Sequence, residues 1–256
     1  MILALDVGNT NITVGCIDDG EVKQVYRIHT NIARTADEYA VQISYLLEFQ
    51  GIDRWGISGA IISSVVPPLT RVFRDAVMQL TGVDAVVVSA GVKTGLNILI
   101  DDPAELGGDL VATSVGALAM GKLPVIIVDL GTATKLIVLN NKGGLIGGAI
   151  LPGVTLSMNA LAEGTSQLPL IPIEAPAKSI SSNTTECIKS GVVLGAASAI
   201  DGMIARFEEE LGEPAFIIAT GGLAGPVYPH CKRSMYHDPH LILRGLSIIY
   251  QKNLKK

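Results

Sequence analysis

The chain has 256 residues, of which 48% are hydrophobic, 17% charged and only 4% aromatic, so it is expected to fold around aliphatic cores and not to be disordered. Its net charge of −5 and lack of any basic cluster beyond the terminal QKNLKK argue against nucleic acid as a partner, and that terminal stretch reads as a solvated tail. No apolar run reaches the length of a bilayer span, no leader pattern precedes the first strand, and Cys16, Cys187 and Cys231 fit neither a disulfide framework nor a zinc site, so a reduced cytoplasmic location with no membrane partner is expected.

The first elements read as strands. ILALDVGNTNITVGCIDDGEVKQVYRI alternates apolar and polar residues on both sides of Asp18-Asp19-Gly20, a hairpin signal. Thr35, with Glu38 three residues later, forms a capping box for a helix whose apolar face is Tyr39, Ile43, Leu46 and Leu47. GAIISSVVPP is a buried strand ending at two prolines, and Pro68 suits the first turn of the next helix. AVVVSA is a further strand, and DDPAELGGDLVATSVGALAM is a loop that becomes helical near Asp109.

The pattern then starts again. Val125 to Asp129 is an apolar strand closed by an aspartate, as is Ile2 to Asp6. Asp129-Leu130-Gly131-Thr132-Ala133 parallels Asp6-Val7-Gly8-Asn9-Thr10, about half the chain length away, which marks an internal duplication. Two similar α/β domains are expected, residues 1–115 and 116–256, facing each other across a cleft. In the second half, SMNALAEGTSQLP reads as a helix and IPIEAPAKSISSNTTEC as a connection. IKSGVVLGAASAIDGMIARFEEELG reads as a long helix with small residues where another backbone could pack, AFIIATGGLAG as a strand entering a glycine turn, and LILRGLSIIYQKN as a closing helix.

A turn of glycine and small polar residues exposes N–H groups that can hold phosphate oxygens, while the aspartate before it can hold a cation that neutralises them. A plain hairpin uses glycine too, but a second copy and the ATGG turn favour a nucleotide site. Thr220-Gly221-Gly222 is suited to pass beneath an adenosine. Asp109 after Gly107-Gly108 is either a helix cap or a base that accepts a hydroxyl proton during attack on a γ-phosphate. There is no Walker, dinucleotide, nucleophile-elbow or zincin motif. His237 and His240 have a possible metal spacing but no third ligand nearby, and read as surface histidines.

These paired turns resemble the duplicated ribonuclease-H-like fold of acetate and sugar kinases, heat-shock chaperones and actin. More narrowly, the chain resembles the type III pantothenate kinases over essentially its whole length, in DVGNTN, SSVVP, DPAELGGD, DLGTAT, GGAILPG, NTTECIKSG and TGG, in that order. The resemblance implies phosphorylation of pantothenate by ATP to 4′-phosphopantothenate, the first step toward coenzyme A. It places Asp6, Val7, Gly8, Asn9, Thr10, Asn11, Ile12 and Thr13, with Thr132, on the ATP phosphates. It makes Asp109 the base and puts Gly107, Gly108, Asp109 and Leu110 beside the substrate. It gives Asp129 a monovalent cation, potassium or ammonium, brings Mg²⁺ with ATP, and has Thr184 reach pantothenate from the other subunit of a homodimer. Leu110 departs from the family's arginine, so a different residue or the helix N-terminus must hold the substrate carboxylate. Lys135 is also less usual and is either solvated or near phosphate. The alternatives are a kinase of another small alcohol, and a non-catalytic nucleotide-binding accessory factor in transcription.

Overall fold

A computed structural model describes residues 1–254. They form two compact units. The first comprises Met1–Leu96, Asp101–Met120 and the residues from His240 onward; the second comprises Asn97–Ile100 and Gly121–Pro239.

The first unit is built on β1 (Ile2–Val7), β2 (Asn11–Asp18), β3 (Glu21–His29), α1 (Ala36–Phe49), β4 (Gly59–Ser64), α2 (Pro67–Thr81) and β5 (Val86–Val87). Its sheet has the order β3-β2-β1-β4-β5, with β1–β2 and β2–β3 antiparallel and β1–β4 and β4–β5 parallel. β6 (Asn97–Ile98) belongs to the other unit, and α3 (Gly108–Leu118) returns to this one. The Thr35 capping box is present, and Tyr39, Ile43 and Leu47 face inward. Leu3, Leu5 and Val7 of β1 pack with Leu69, Phe73 and Val77 of α2 on one face. The opposite face is covered by α3 and the last helix, α8 (Leu241–Asn253).

The second unit repeats the plan with β7 (Val125–Leu130), β8 (Ala133–Leu139), β9 (Gly144–Pro152), α4 (Val154–Gly164), α5 (Thr184–Lys189), α6 (Gly195–Leu211), β10 (Phe216–Thr220), α7 (Ala224–Val227) and β11 (Tyr236–His237). The order β11-β10-β7-β8-β9-β6 is that of the first sheet read in reverse, with β6 added beside β9. Directions match strand for strand, and irregularities fall at Cys16/Ile17 and Val138/Leu139, equivalent places in the two halves. The duplication expected from the two Asp-x-Gly turns is therefore present in the fold.

α5, a π-helical turn at Ser190–Leu194 and α6 form one continuous helix, Thr184–Leu211, in keeping with the long helix expected there, and it includes an 18-residue stretch of mean hydropathy 1.4. Its apolar residues Ile188, Val192, Ala197, Ile200 and Ile204 lie in the core of the second unit, which is why it is apolar. Gln251–Asn253 close α8, as expected for the LILRGLSIIYQKN helix, with Gln251 and Lys252 exposed; Lys255 and Lys256 lie outside the described residues.

Candidate functional site

In the first unit the strand pleat sorts the candidate residues. Leu3, Leu5 and Val7 point to the α1–α2 face, so Asp6 points to the α3–α8 face. Asp6 pairs in register with Thr13 on β2 and Ser63 on β4, so Thr13, Asp6 and Ser63 form one polar row across three strand ends. Ser63 is fully buried, and its hydroxyl has no hydrogen-bond partner among the described residues. A Cβ on Gly108 would stand 3.4 Å from Ser63 Oγ, so this row runs up to the start of α3, where Asp109 stands.

The turn after Asp6 is held on two sides. Gly8 N–H donates to the Asn11 carbonyl at 3.1 Å. Thr30, at the end of β3, donates its hydroxyl to the Gly8 carbonyl at 2.7 Å, and its N–H donates to the Thr10 carbonyl at 3.0 Å. Asn9, Thr10 and Asn11 are exposed, Val7 and Ile12 are buried, and Thr13 is half-buried. The buried pair anchors the turn, and the exposed residues are available to a ligand. Sequence reasoning missed Thr30, and it quoted Ser63 only as part of SSVVP; the place of each beside the turn comes from register.

Asp109 is the second residue of α3 and not its cap, which is Gly107. Its Oδ1 accepts from the Leu110 N–H at 2.8 Å. A Cβ on Gly107 would lie 2.4 Å from that oxygen, so the carboxylate is folded back over Gly107 and only glycine leaves it room. The Asp109 carbonyl accepts from the Thr113 hydroxyl at 2.8 Å, fixing the first turn. Leu110 is half-buried and offers no charge.

The second unit has the matching row. Asp129 pairs with Lys135 on β8 and Thr220 on β10, as Asp6 pairs with Thr13 and Ser63. Lys135 Nζ stands 4.0 Å from Asp129 Oδ2, with both side chains about a fifth to a quarter exposed (24% and 20%). Gly221 has φ +95°, and a Cβ there would fall 2.5 Å from the Leu130 carbonyl and 2.6 Å from Asp129 Oδ1. The TGG turn thus closes directly onto Asp129, and the Leu223 N–H fixes it by donating to the Leu130 carbonyl at 2.9 Å. Thr132 and Gly222 are exposed beside this turn. Gly153, last in GGAILPG, backs the Thr132 carbonyl, where a Cβ would approach to 2.2 Å.

Thr184 is the exposed first residue of α5, whose cap is Asn183: the Asn183 Oδ1 accepts from Glu186 N–H at 3.0 Å. Thr184 lines a cavity of about 570 Å³ with Leu161, Leu168, Cys187, Ile188 and Gly191. The Ala177 N–H and the Lys189 ammonium hold the Glu186 carboxyl below its usual range, tying the preceding connection to the helix. His237 lies in β11, half-buried and stacked on Tyr228 with ring centres 4.7 Å apart, so it is not the surface histidine expected. Among the described residues no group of three or more His, Cys, Asp or Glu is placed to hold a metal.

Comparison with known proteins bears on these sites. The family model for type III pantothenate kinase matches residues 2–206. A type III pantothenate kinase of Moorella thermoacetica is 38% identical over 253 residues, covering 99% of this chain and all of that protein. One from Geobacillus sp. (strain WCH70) is 39% identical over 256 residues, covering 100% and 99%. Among solved structures, component A of the Acidaminococcus fermentans (R)-2-hydroxyglutaryl-CoA dehydratase aligns with TM-score 0.56 at 14% identity, covering 97% of this chain and 96% of that one. A ROK hexokinase from Thermus thermophilus aligns with TM-score 0.51 at 12% identity, covering 98% and 99%. At such identities the structures speak for the fold alone, a duplicated ribonuclease-H-like α/β architecture.

Proposed function

The chain belongs to the type III pantothenate kinase family, and we propose on that basis that it transfers the γ-phosphoryl group of ATP to pantothenate, giving 4′-phosphopantothenate for coenzyme A synthesis. The observation that carries this reading is that a chain matching these kinases from end to end keeps Asp109 folded over Gly107 at the start of α3.

The residues fit the substrates. The exposed N–H groups and hydroxyls from Gly8 to Thr13, with Thr132, suit ATP phosphates, and the side-chain-free Gly221-Gly222 turn suits the nucleoside. Asp6, at a strand end before such a turn, is the acidic group available to the divalent ion, Mg²⁺, that accompanies ATP. When bound, that ion neutralises charge on the phosphates. Asp109 accepts the proton of the pantothenate primary hydroxyl as its oxygen bonds to the γ-phosphorus and the bridging bond to the β-phosphate breaks, releasing ADP. Gly107, Gly108 and Leu110 border that hydroxyl. A residue other than Leu110, or the N-terminus of a helix, takes over the pantothenate carboxylate that an arginine would otherwise hold. Asp129 anchors a monovalent positive charge beside the phosphates, as potassium or ammonium would supply.

The protein works as a cytoplasmic homodimer in which Thr184 of one subunit reaches the pantothenate of the other. The exposed Ile180 and Leu170 near that helix support a covered surface there.

The test is ADP formation by the purified protein with ATP, Mg²⁺ and pantothenate. Pantothenate-dependent turnover that falls by orders of magnitude in Asp109→Asn, with ATP binding retained, is expected; unchanged turnover removes Asp109 from the role of base. Leu110 favours one second reading, another small alcohol as acceptor. It predicts ATP consumption with a different alcohol in an acceptor screen and none with pantothenate.

A further inference from the structure

Lys135 occupies the place where a monovalent cation would meet Asp129, and the geometry points to its ammonium as the resident cation of this enzyme, making added potassium or ammonium unnecessary. This rests on the function proposed above and concerns the positive charge at that site. Three observations converge on it. First, Asp129 and Lys135 are directly opposed on antiparallel β7 and β8, so their side chains share one face, and the ammonium stands 4.0 Å from Oδ2. Second, the other oxygen, Oδ1, is occupied on its side by the Gly221 turn, where a Cβ would come within 2.6 Å. The Lys135 ammonium faces the oxygen that this turn does not approach. A potassium ion on the same oxygen would stand beside a like charge.

Third, the internal duplication supplies a control. The residue equivalent to Lys135 in the first unit is Thr13, opposite Asp6 in the same register. There the residue set opposite the strand-end carboxylate is a neutral threonine. The two halves share one backbone arrangement and differ in charge at this single cross-strand position. An alkylammonium tethered to β8 is chemically the ammonium ion that the site would otherwise take from solution, with no entropy of capture to overcome.

The experiment compares the native chain with Lys135→Met and Lys135→Gln, two neutral replacements at a partly exposed strand position, and with Lys135→Arg, which keeps the charge. Turnover is measured with ATP, Mg²⁺ and pantothenate in choline chloride and again with potassium or ammonium added. The native chain and Lys135→Arg are expected to show the same turnover in both. A neutral variant is expected to lose about a hundredfold in choline and to regain most of it with potassium or ammonium. Binding is read independently by thallium-205 resonance of Tl⁺ with Mg²⁺ and a non-hydrolysable ATP analogue. No site is expected in the native chain and one per chain in a neutral variant.

Potassium-dependent turnover or a Tl⁺ site in the native chain overturns the inference. So does a folded neutral variant that potassium does not rescue and that gains no Tl⁺ site. If no protein turns over pantothenate in any salt, the proposed function fails, and the Tl⁺ measurement alone still decides the role of Lys135.

Discussion

Asp109 depends on a neighbour that carries no side chain. A methyl group at position 107 would collide with a carboxylate oxygen and not with backbone, so the flexible group would move and the fold would stay. Gly107→Ala is therefore expected to leave the melting temperature nearly unchanged and to lower kcat by about a hundredfold, the cost of a base displaced by about 1 Å. Equal losses in stability and turnover would show that Gly107 serves the helix and not the base. The thiols offer a second check at this scale. Burial pushes Cys16 up to about 11 and Cys231 up to about 12, whereas Cys187 is exposed. One thiol per native chain should react rapidly with a disulfide reagent at pH 8, and Cys187→Ser should abolish that phase.

Asp6, Gly8, Asp109 and Asp129 were legible in the sequence because each belongs to a local pattern: an apolar run, an acid, a glycine. Thr30 was not, since an isolated threonine acquires meaning only when sheet register sets it against Thr10, and Ser63, though part of SSVVP, shows its place opposite Asp6 only through register. Lys135 was visible but ambiguous for the same reason. Its partner is six positions away along the chain, on the facing strand, and only the pairing register puts the ammonium on the carboxylate's face.

Among the elements, long periodic ones follow the sequence pattern closely, and α1 begins at the expected capping box. β5 falls inside the expected AVVVSA strand, whereas the two-residue strands β6 and β11 are set by the sheet they join and not by their own residues. The π-helical turn between α5 and α6 is likewise absent from any local pattern. The connection before α5 hangs on that helix through charge. Ala177 N–H donates to Glu186, Lys189 pairs with Glu174 and Glu186, and Ser190 Oγ donates to the Ser179 carbonyl at 2.7 Å. The Glu186 carboxyl titrates lower in the folded chain than in the unfolded one. Its contribution is therefore complete above the ordinary carboxylate range and disappears as pH falls through the lower, folded value. Protection of the amides of residues 174–183 relative to their intrinsic exchange should fall as pH drops through the lowered Glu186 value, and Glu186→Gln should show that lost protection already at pH 7.

α3 and α8 cross in close contact. A Cβ on Gly245 would sit 1.7 Å from the Ala112 carbonyl oxygen, and one on Gly116 would sit 2.4 Å from that of Leu241. Backbone meets backbone, and neither helix has a flexible group that can yield. Gly245→Ala should cost about 1–3 kcal/mol or more despite the better helix propensity of alanine. A chain of this size would then melt about 2–4 °C lower per kcal/mol, which calorimetry would register.

At the scale of the whole molecule, the duplication explains why one short motif appears twice with different duties. Both halves keep the strand order and the turn, while single positions in each row have diverged: Thr13 against Lys135, Ser63 against Thr220. The proposed dimer is tested by mixing subunits. Asp109→Asn and Thr184→Glu should each be nearly inactive, the second because it sets a carboxylate against that of pantothenate. If the site is shared, heterodimers restore one intact site from the native Asp109 of one chain and the native Thr184 of the other. Activity recovered on mixing and re-forming dimers supports the shared site; additive inactivity argues for sites complete within one chain.

The residues from His240 onward complete the first unit, although more than a hundred residues of the second unit precede them in the chain. On the ribosome, then, the sheet carrying Asp6 and the helix carrying Asp109 are made before the second unit but wait for α8, made after it, to cover them. Gly15 and Gly59 of that sheet are the seats for Leu243 and Tyr250, and they stay open until α8 has been made. The usual order, in which the leading domain finishes first, is reversed here. The second unit is continuous apart from β6 and can close while the first is still incomplete, so nascent chains stalled before residue 240 should protect β7–β10 from protease and leave β1–β4 exposed to it.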